Sequence, residues 1–232
     1  MEGFLLIDKP KGWTSFDVVK YVRTAIARAS GLPVKRVKVG HSGTLDPFAT
    51  GLLILLIGKP YTVRANVLLK QDKSYTVQMV LDTASTTGDP EGVLTSLNGL
   101  APPSEATLSQ ILDSFQGDSQ QTPPIYSAIK VGGVRSYKLA RDNKPVELEP
   151  RRVTIKNLSL LSYSYPIVEF QTEVSSGTYI RSLVEDIGKA MGRTAYTKQL
   201  RRTSIGACSI DQAYSTEQIN EQTISKYLVK EL

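Results

Sequence analysis

The run from Gly40 to Gly51, GHSGTLDPFATG, places His41, the single histidine, five residues before Asp46 in a stretch too rich in glycine and proline for regular structure. It reads as a loop that presents side chains. Asp46 precedes Pro47, which lacks an N–H and keeps the residue before it out of the helical region, so the carboxylate is held in an extended or turn geometry. His41, Ser42 and Asp46 supply the residue types of a Ser-His-Asp hydrolase. That chemistry fits poorly, because the strand-turn-helix around a nucleophilic serine is missing and three residues so close in sequence cannot easily make the two aligned hydrogen bonds of a triad. What remains is a carboxylate displayed by a shaped loop, an arrangement that serves either a turn or a reaction.

The elements that must position this loop are legible around it. Leu52 to Gly58 is a run of six aliphatic residues closed by glycine, which suits a strand buried on both faces, although periodicity alone does not separate it from a buried helical turn. Thr14 with Asp17 three residues on predicts a helix start, with Val18, Val22 and Ile26 on one face until Gly31. Tyr75, Val77, Met79 and Leu81 alternate as a half-buried strand, as do Val168, Phe170, Thr172 and Val174. Residues 82 to 103 read as turns and loop, Leu108 to Phe115 as a helix, and IKVGGVR around Gly132 and Gly133 as a tight hairpin. Ile180 to Met191 marks a further helix, ended by Gly192. The expected fold class is α+β, with a mixed, mainly antiparallel sheet and flanking helices.

Composition narrows the function classes. The 232 residues carry 28 Lys+Arg against 22 Asp+Glu, a formal charge of +6 that fits a polyanionic partner such as RNA. One cysteine, Cys208, excludes an intramolecular disulfide, and one cysteine with one histidine cannot assemble a Cys/His zinc cluster. The apolar stretch from Phe4 to Ile7 is too short for a signal-peptide core, nothing later approaches a membrane span, and a cytoplasmic protein is expected.

Several blocks carry a family resemblance. GHSGTLDPFATGLL resembles the catalytic motif of the bacterial tRNA pseudouridine synthase B (TruB) family, which modifies uridine 55 in the T loop of tRNA. GFLLIDKPKGWTSFDVV, KSYTV, YSAIKVGGVRSYKLAR, GTYIRSLVEDIG and LRRTSIG resemble that family in the same order, covering most of residues 3 to 206. The resemblance implies a pseudouridine synthase fold with a central RNA-binding cleft. Asp46 matches the catalytic aspartate, Tyr75 the active-site tyrosine and Arg181 the active-site arginine. Asp46 would attack C1′, attack C6 of the base or remove the C2′ proton, three routes the sequence leaves open. Arg181 would hold it ionised and, if the strand ending near Gly177 delivers it at the cleft, would share a face with Tyr179 before the helix begins. Tyr75 would stack on the uracil and assist loss of the C5 proton, while His41 accompanies base flipping.

Substrate contacts are further expected from Tyr179, Leu200, Lys9, Lys130 and Arg202, the last three as phosphate contacts beside Lys11, Arg135, Lys138, Arg141 and Arg201. The isomerisation is redox-neutral, so no cofactor and no metal are expected. The implied partner is the tRNA T-arm stem-loop, bound by a monomer with no obligate protein partner and no membrane. Residues 1–210 are expected as the catalytic domain, with 121–152 an inserted lobe that closes on RNA. Residues 211–232 read as a helical tail, Glu217 to Leu228, without a full C-terminal RNA-binding domain. Val174-Ser175-Ser176 and Cys208 depart from the residues common in the family. A silent tRNA chaperone of the same fold and the catalytic subunit of a guide-RNA particle are the alternatives.

Overall fold

A computed structural model describes residues 1–232 apart from Asn98 and Asn143. The loop at 82–103 and the lobe at 121–152 are therefore compared with their expectations without those two positions, which lie outside the described residues. The chain forms two compact units, one of residues 1–75 and 200–232 and the other of residues 76–199.

The first unit opens with β1 (Gly3–Lys9), α1 (Ser15–Ser30), β2 (Val39–His41), β3 (Thr50–Ile57), α2 (Lys59–Thr62) and α3 (Ala65–Leu69). The chain then enters β4 (Lys73–Leu81) and the second unit, with β5 (Thr83–Ser85), β6 (Leu94–Ser96), α4 (Glu105–Ser114), β7 (Gly117–Gln121), β8 (Lys130–Val131), β9 (Val134–Arg135), α5 (Ser136–Arg141), β10 (Arg151–Ser164), β11 (Ile167–Val174) and α6 (Ile180–Ala190). It returns along β12 (Ala195–Ile205) to β13 (Cys208–Ser209) and β14 (Tyr214–Ser215). Strand pairing is mixed and mainly antiparallel.

In the first unit β1 pairs antiparallel with β3 from Gly3↔Ile57 to Lys9↔Gly51. On the other edge of β3 the end of β12 pairs parallel, Arg201↔Thr50 and Arg202↔Gly51. The aliphatic run works as expected: Leu52 to Ile57 are all fully buried. Leu53, Leu55 and Ile57 join Leu5, Ile7, Val18, Val22 and Ile26 in the core under α1, whereas Leu52, Ile54 and Leu56 join Phe4, Leu6, Ile205 and Cys208. Each such side chain contributes roughly 1.5–3 kcal/mol on burial, and the strand alternation spreads that gain over both faces. Cys208 thus packs in the core. α1 carries the anticipated capping box, Thr14 with Asp17, and closes at Gly31 in the left-handed conformation.

In the second unit β10 pairs antiparallel with both β11 and β7. The hairpin of β8 and β9 turns at Gly132 and Gly133, with φ of 57° and 84°. Residues 82–103, expected as loop, also hold the small β5–β6 ladder.

The tail differs from its expectation. Glu217 to Leu228 is not an α-helix but two short 3₁₀ turns, Thr216–Gln218 and Ile224–Tyr227. Asn220 accepts the N–H groups of Gln222 and Thr223 on its side chain, and Thr223 Oγ1 donates to Gln218 O, so polar side chains take the backbone partners that a helix would need.

Candidate functional site

The loop between β2 and β3 is fastened by its main chain. Ser42 N–H donates to Ile54 O at 3.0 Å and Ala49 N–H to Asp46 O at 3.1 Å. The Ser15 hydroxyl, 2 % exposed, closes a reciprocal pair with Leu45: it accepts the Leu45 N–H at 2.8 Å and donates to Leu45 O at 3.2 Å. Gly12 N–H donates to Pro47 O at 2.8 Å. Lys9 is fully buried, and its ammonium donates to Trp13 O at 2.6 Å, Pro10 O at 3.0 Å and Pro47 O at 3.4 Å. Carbonyl acceptors offset part of the cost of enclosing an ammonium. The segment after β1 and the start of α1 therefore build the underside of the loop on which half-buried Asp46 sits.

His41 is half-buried at the entrance to the loop, and its Nδ1 accepts the Gly43 N–H at 3.3 Å. Burial, reinforced by the Arg202 cation, pushes its pKa below the ordinary histidine value. It is thus a neutral ring at physiological pH, suited to shape and stacking rather than to charge. Tyr75 and Lys73 share one face of β4 and are both buried. Lys73 Nζ donates to Gln71 O at 2.6 Å and Leu69 O at 3.1 Å, and burial beside Arg202 lowers its pKa to about 8.

The strand period sorts LRR in β12. Leu200 and Arg202 are buried, whereas Arg201 turns to Asp8, with Nη1–Oδ1 at 3.0 Å and Nη2–Oδ2 at 2.7 Å. Arg202 is 1 % exposed; its Nε donates to Leu52 O at 2.7 Å and its Nη2 to Gly43 O at 3.3 Å. The expected phosphate contacts at Lys9 and Arg202 are corrected accordingly: both cations are enclosed and directed at carbonyls of the protein's own loop. Lys130, in contrast, is exposed on the β8–β9 hairpin.

In the second unit Tyr179 is the N-cap of α6, and its backbone forms a reciprocal pair with the Gln121 amide, N–H to Oε1 at 2.7 Å and Nε2 to Tyr179 O at 3.1 Å. β11 ends at Val174 and α6 begins at Ile180, so Arg181 stands inside the first helical turn and not on a strand end. It is 4 % exposed. Its Nη1 donates to Thr87 O at 2.8 Å and Asp89 Oδ2 at 3.2 Å, its Nη2 to Tyr126 O at 2.8 Å. A cation at a helix N-terminus opposes the helix dipole, and the Asp89 carboxylate offsets this. Asp89 Oδ1 in turn accepts from the Thr87 hydroxyl at 2.5 Å and the Glu91 N–H at 3.0 Å.

The sequence reading missed Asp89, Ser15 and Gln121. One signal for Asp89 was available, since GDPEG repeats the Asp-Pro dipeptide of the Asp46 loop. Among the described residues no group of three or more His, Cys, Asp or Glu could hold a metal ion, and no helix is long and apolar enough to cross a membrane.

Residues 32–180 match the profile of the TruB family pseudouridylate synthase N-terminal domain, and residues 181–231 that of the tRNA pseudouridylate synthase B C-terminal domain. Over 230 residues the chain is 38 % identical to the tRNA pseudouridine synthase B of Chlamydia trachomatis serovar L2, covering 98 % of this chain and 91 % of that one. The tRNA pseudouridine synthase B of Protochlamydia amoebophila is 40 % identical over 226 residues, covering 96 % and 81 %. Among solved structures, an H/ACA RNP bound to a substrate RNA containing 2′-deoxyuridine aligns with a TM-score of 0.65 and 27 % identity, covering 93 % of this chain and 51 % of that one. This chain thus spans about half the length of that solved chain.

Proposed function

The chain belongs to the TruB family of pseudouridylate synthases, and from that premise we propose that it isomerises uridine to pseudouridine in tRNA, at uridine 55 of the T loop. The observation that carries this reading is likeness to tRNA pseudouridine synthase B at 38–40 % identity over almost the whole chain. The N1–C1′ bond breaks, the uracil turns, C5 joins C1′, and the C5 proton is lost while N1 gains one. Atoms and electrons balance without a redox partner.

Asp46 is assigned the carboxylate chemistry at the ribose or the base, Tyr75 stacking on the uracil and help with the C5 proton, and Arg181 a fixed positive charge for the reaction. His41 assists extrusion of the base, whose cost of a few kcal/mol is offset by stacking and edge contacts. Tyr179, Leu200 and Lys130 remain the proposed substrate contacts. Residues 1–210 are assigned to catalysis, 121–152 to a lobe that closes on RNA and 211–232 to a tail. The working unit is a cytoplasmic monomer that reads the T arm and needs no obligate protein partner.

The likeness to an H/ACA RNP chain supports a second reading, a subunit that acts only with a guide RNA. Incubating the protein alone with a tRNA transcript tritiated at uridine C5, and counting tritium released to water, separates the two. The proposed enzyme releases it unaided. A guide-dependent subunit releases it only after guide RNA is added, and a silent RNA chaperone never does.

A further inference from the structure

Gly51 in β3 is flanked in register by two enclosed cations, Lys9 on β1 and Arg202 on β12. The approach of β12 is close. A Cβ on Gly51 would lie 2.7 Å from Arg202 N, and Gly51 has φ of 106°, so the position requires a residue without a side chain. Arg202 is thereby fixed at its root. Its guanidinium then reaches Leu52 O just past the Asp46 loop and Gly43 O just before that aspartate. The Tyr75 hydroxyl faces the same guanidinium. One planar side chain thus touches both flanks of the loop that bears Asp46 and also meets the tyrosine assigned to the C5 proton.

We propose that Arg202 is a positioning residue of the reaction: its guanidinium clamps the two ends of the Asp46 loop together and orients the Tyr75 hydroxyl. This deepens the proposed function and rests on its assignment of Asp46 and Tyr75. Arginine suits the task and lysine does not, because a rigid fork directs several donors at once whereas an ammonium is a single point of charge. A donor facing the tyrosine oxygen also turns the hydroxyl hydrogen away from the guanidinium. Arg202 touches no substrate in this scheme, since it is enclosed.

The test pairs kinetics with a readout that needs no turnover. In the parent protein, the Arg202 guanidinium N–H protons should be visible by NMR and exchange slowly with water, and Tyr75→Phe should shift them. Exchange as fast as that of an exposed arginine, or signals unmoved by Tyr75→Phe, overturns the clamp. For kinetics, Arg202→Lys keeps the charge and loses the fork. Its affinity for a T-arm stem-loop should stay within about twofold while the single-turnover rate falls by about 100-fold, the scale of a 1 Å misplacement. In a Tyr75→Phe background the same change should cost less, because part of what it positions is already gone. A folded Arg202→Lys at the parent rate, or strictly additive losses, overturns the proposal. If Arg202→Lys does not fold, the parent NMR measurement still decides. A parent that releases no tritium defeats the proposed function instead, and leaves the exchange measurement to judge the clamp.

Discussion

The chain uses the dipeptide Asp-Pro twice, at Asp46-Pro47 and at Asp89-Pro90, and the two loops are fastened in different ways. In the first unit the loop around Asp46 is held by its main chain: Ser15, Gly12, Lys9 and Arg202 all address backbone groups at Gly43, Leu45, Pro47 and Leu52. In the second, the Asp89 side chain is itself the fastener, 4 % exposed and shared among Thr87, the Glu91 N–H and Arg181. The main chain of the first loop is tied to distant residues, and in the second the acid's own side chain is among the ties. A dipeptide that stops helix and turns the chain is indifferent to which use follows. The main-chain ties of the first loop come from distant residues, whereas Asp89 combines the local donors Thr87 and Glu91 with the distant Arg181.

The largest effect should come from the displayed acid. Asp46→Asn keeps shape and loop bonds and is expected to abolish pseudouridine formation in single-turnover assays, with tRNA affinity within a few-fold of the parent, because binding draws on phosphate and stacking contacts rather than on this carboxylate. Retained turnover would break the contrast by making Asp46 a turn former like any other. Asp89 should respond in the other coin. Asp89→Ala removes one carboxylate from the enclosed Arg181 guanidinium, and breaking a buried pair costs up to about 3–5 kcal/mol, so the urea midpoint should fall before any rate is considered. An Asp89→Ala protein as stable as the parent would show that Arg181 is held without Asp89.

Ser15 tests the main-chain fastening at smaller cost. Ser15→Ala removes the acceptor of the Leu45 N–H and strands a donor in an enclosed place, a loss of about 1–3 kcal/mol. Affinity for the stem-loop should be unchanged while the single-turnover rate drops. A stability loss with no rate loss would mean that the register of the loop does not depend on this bond.

Much of this was legible in advance, and the reasons for what was not are specific. Thr14, Asp17 and Gly31 bounded α1 because capping is local chemistry, whereas Leu52 to Ile57 suited a strand buried on two faces or a buried helical turn, and the pairing with β1 decides for the strand. The Gly132-Gly133 hairpin followed from backbone conformations open to glycine alone. Arg202 was misread because charged residues are rarely fully enclosed, and its burial depends on the parity of β12 together with acceptors at Gly43 and Leu52 far away in sequence. Arg181 fell inside the helix read from Ile180 to Met191, and its place beside Tyr179 on a strand end was the alternative that the structure excludes. The 217–228 segment misled because its composition allows a helix, whereas Asn220 and Thr223 spend their side chains on the local backbone.

Lys73 gives the smallest and most sharply signed effect. It lies beside Arg202, with its ammonium on two carbonyls, and its pKa is lowered to about 8 from an unfolded value of 10.5. Between these values the unfolded chain binds a proton that the folded chain has given up, so unfolding takes up protons and stability rises with pH across that window. Below pH 8 the folded state bears the full penalty of an enclosed charge; above 10.5 the penalty is gone. Tyrosines titrate in the upper part of this range, so the parent curve alone would mix their effects with that of Lys73. The difference between parent and Lys73→Met isolates it: the parent should gain stability relative to the variant as pH is raised from 7 to 9.5, measured by urea midpoints at each pH. A difference that stays flat would assign Lys73 an ordinary pKa. The first unit would then have one fewer cation held at a cost beneath its loop, and a weaker contrast with the neutralised Arg181–Asp89 pair of the second.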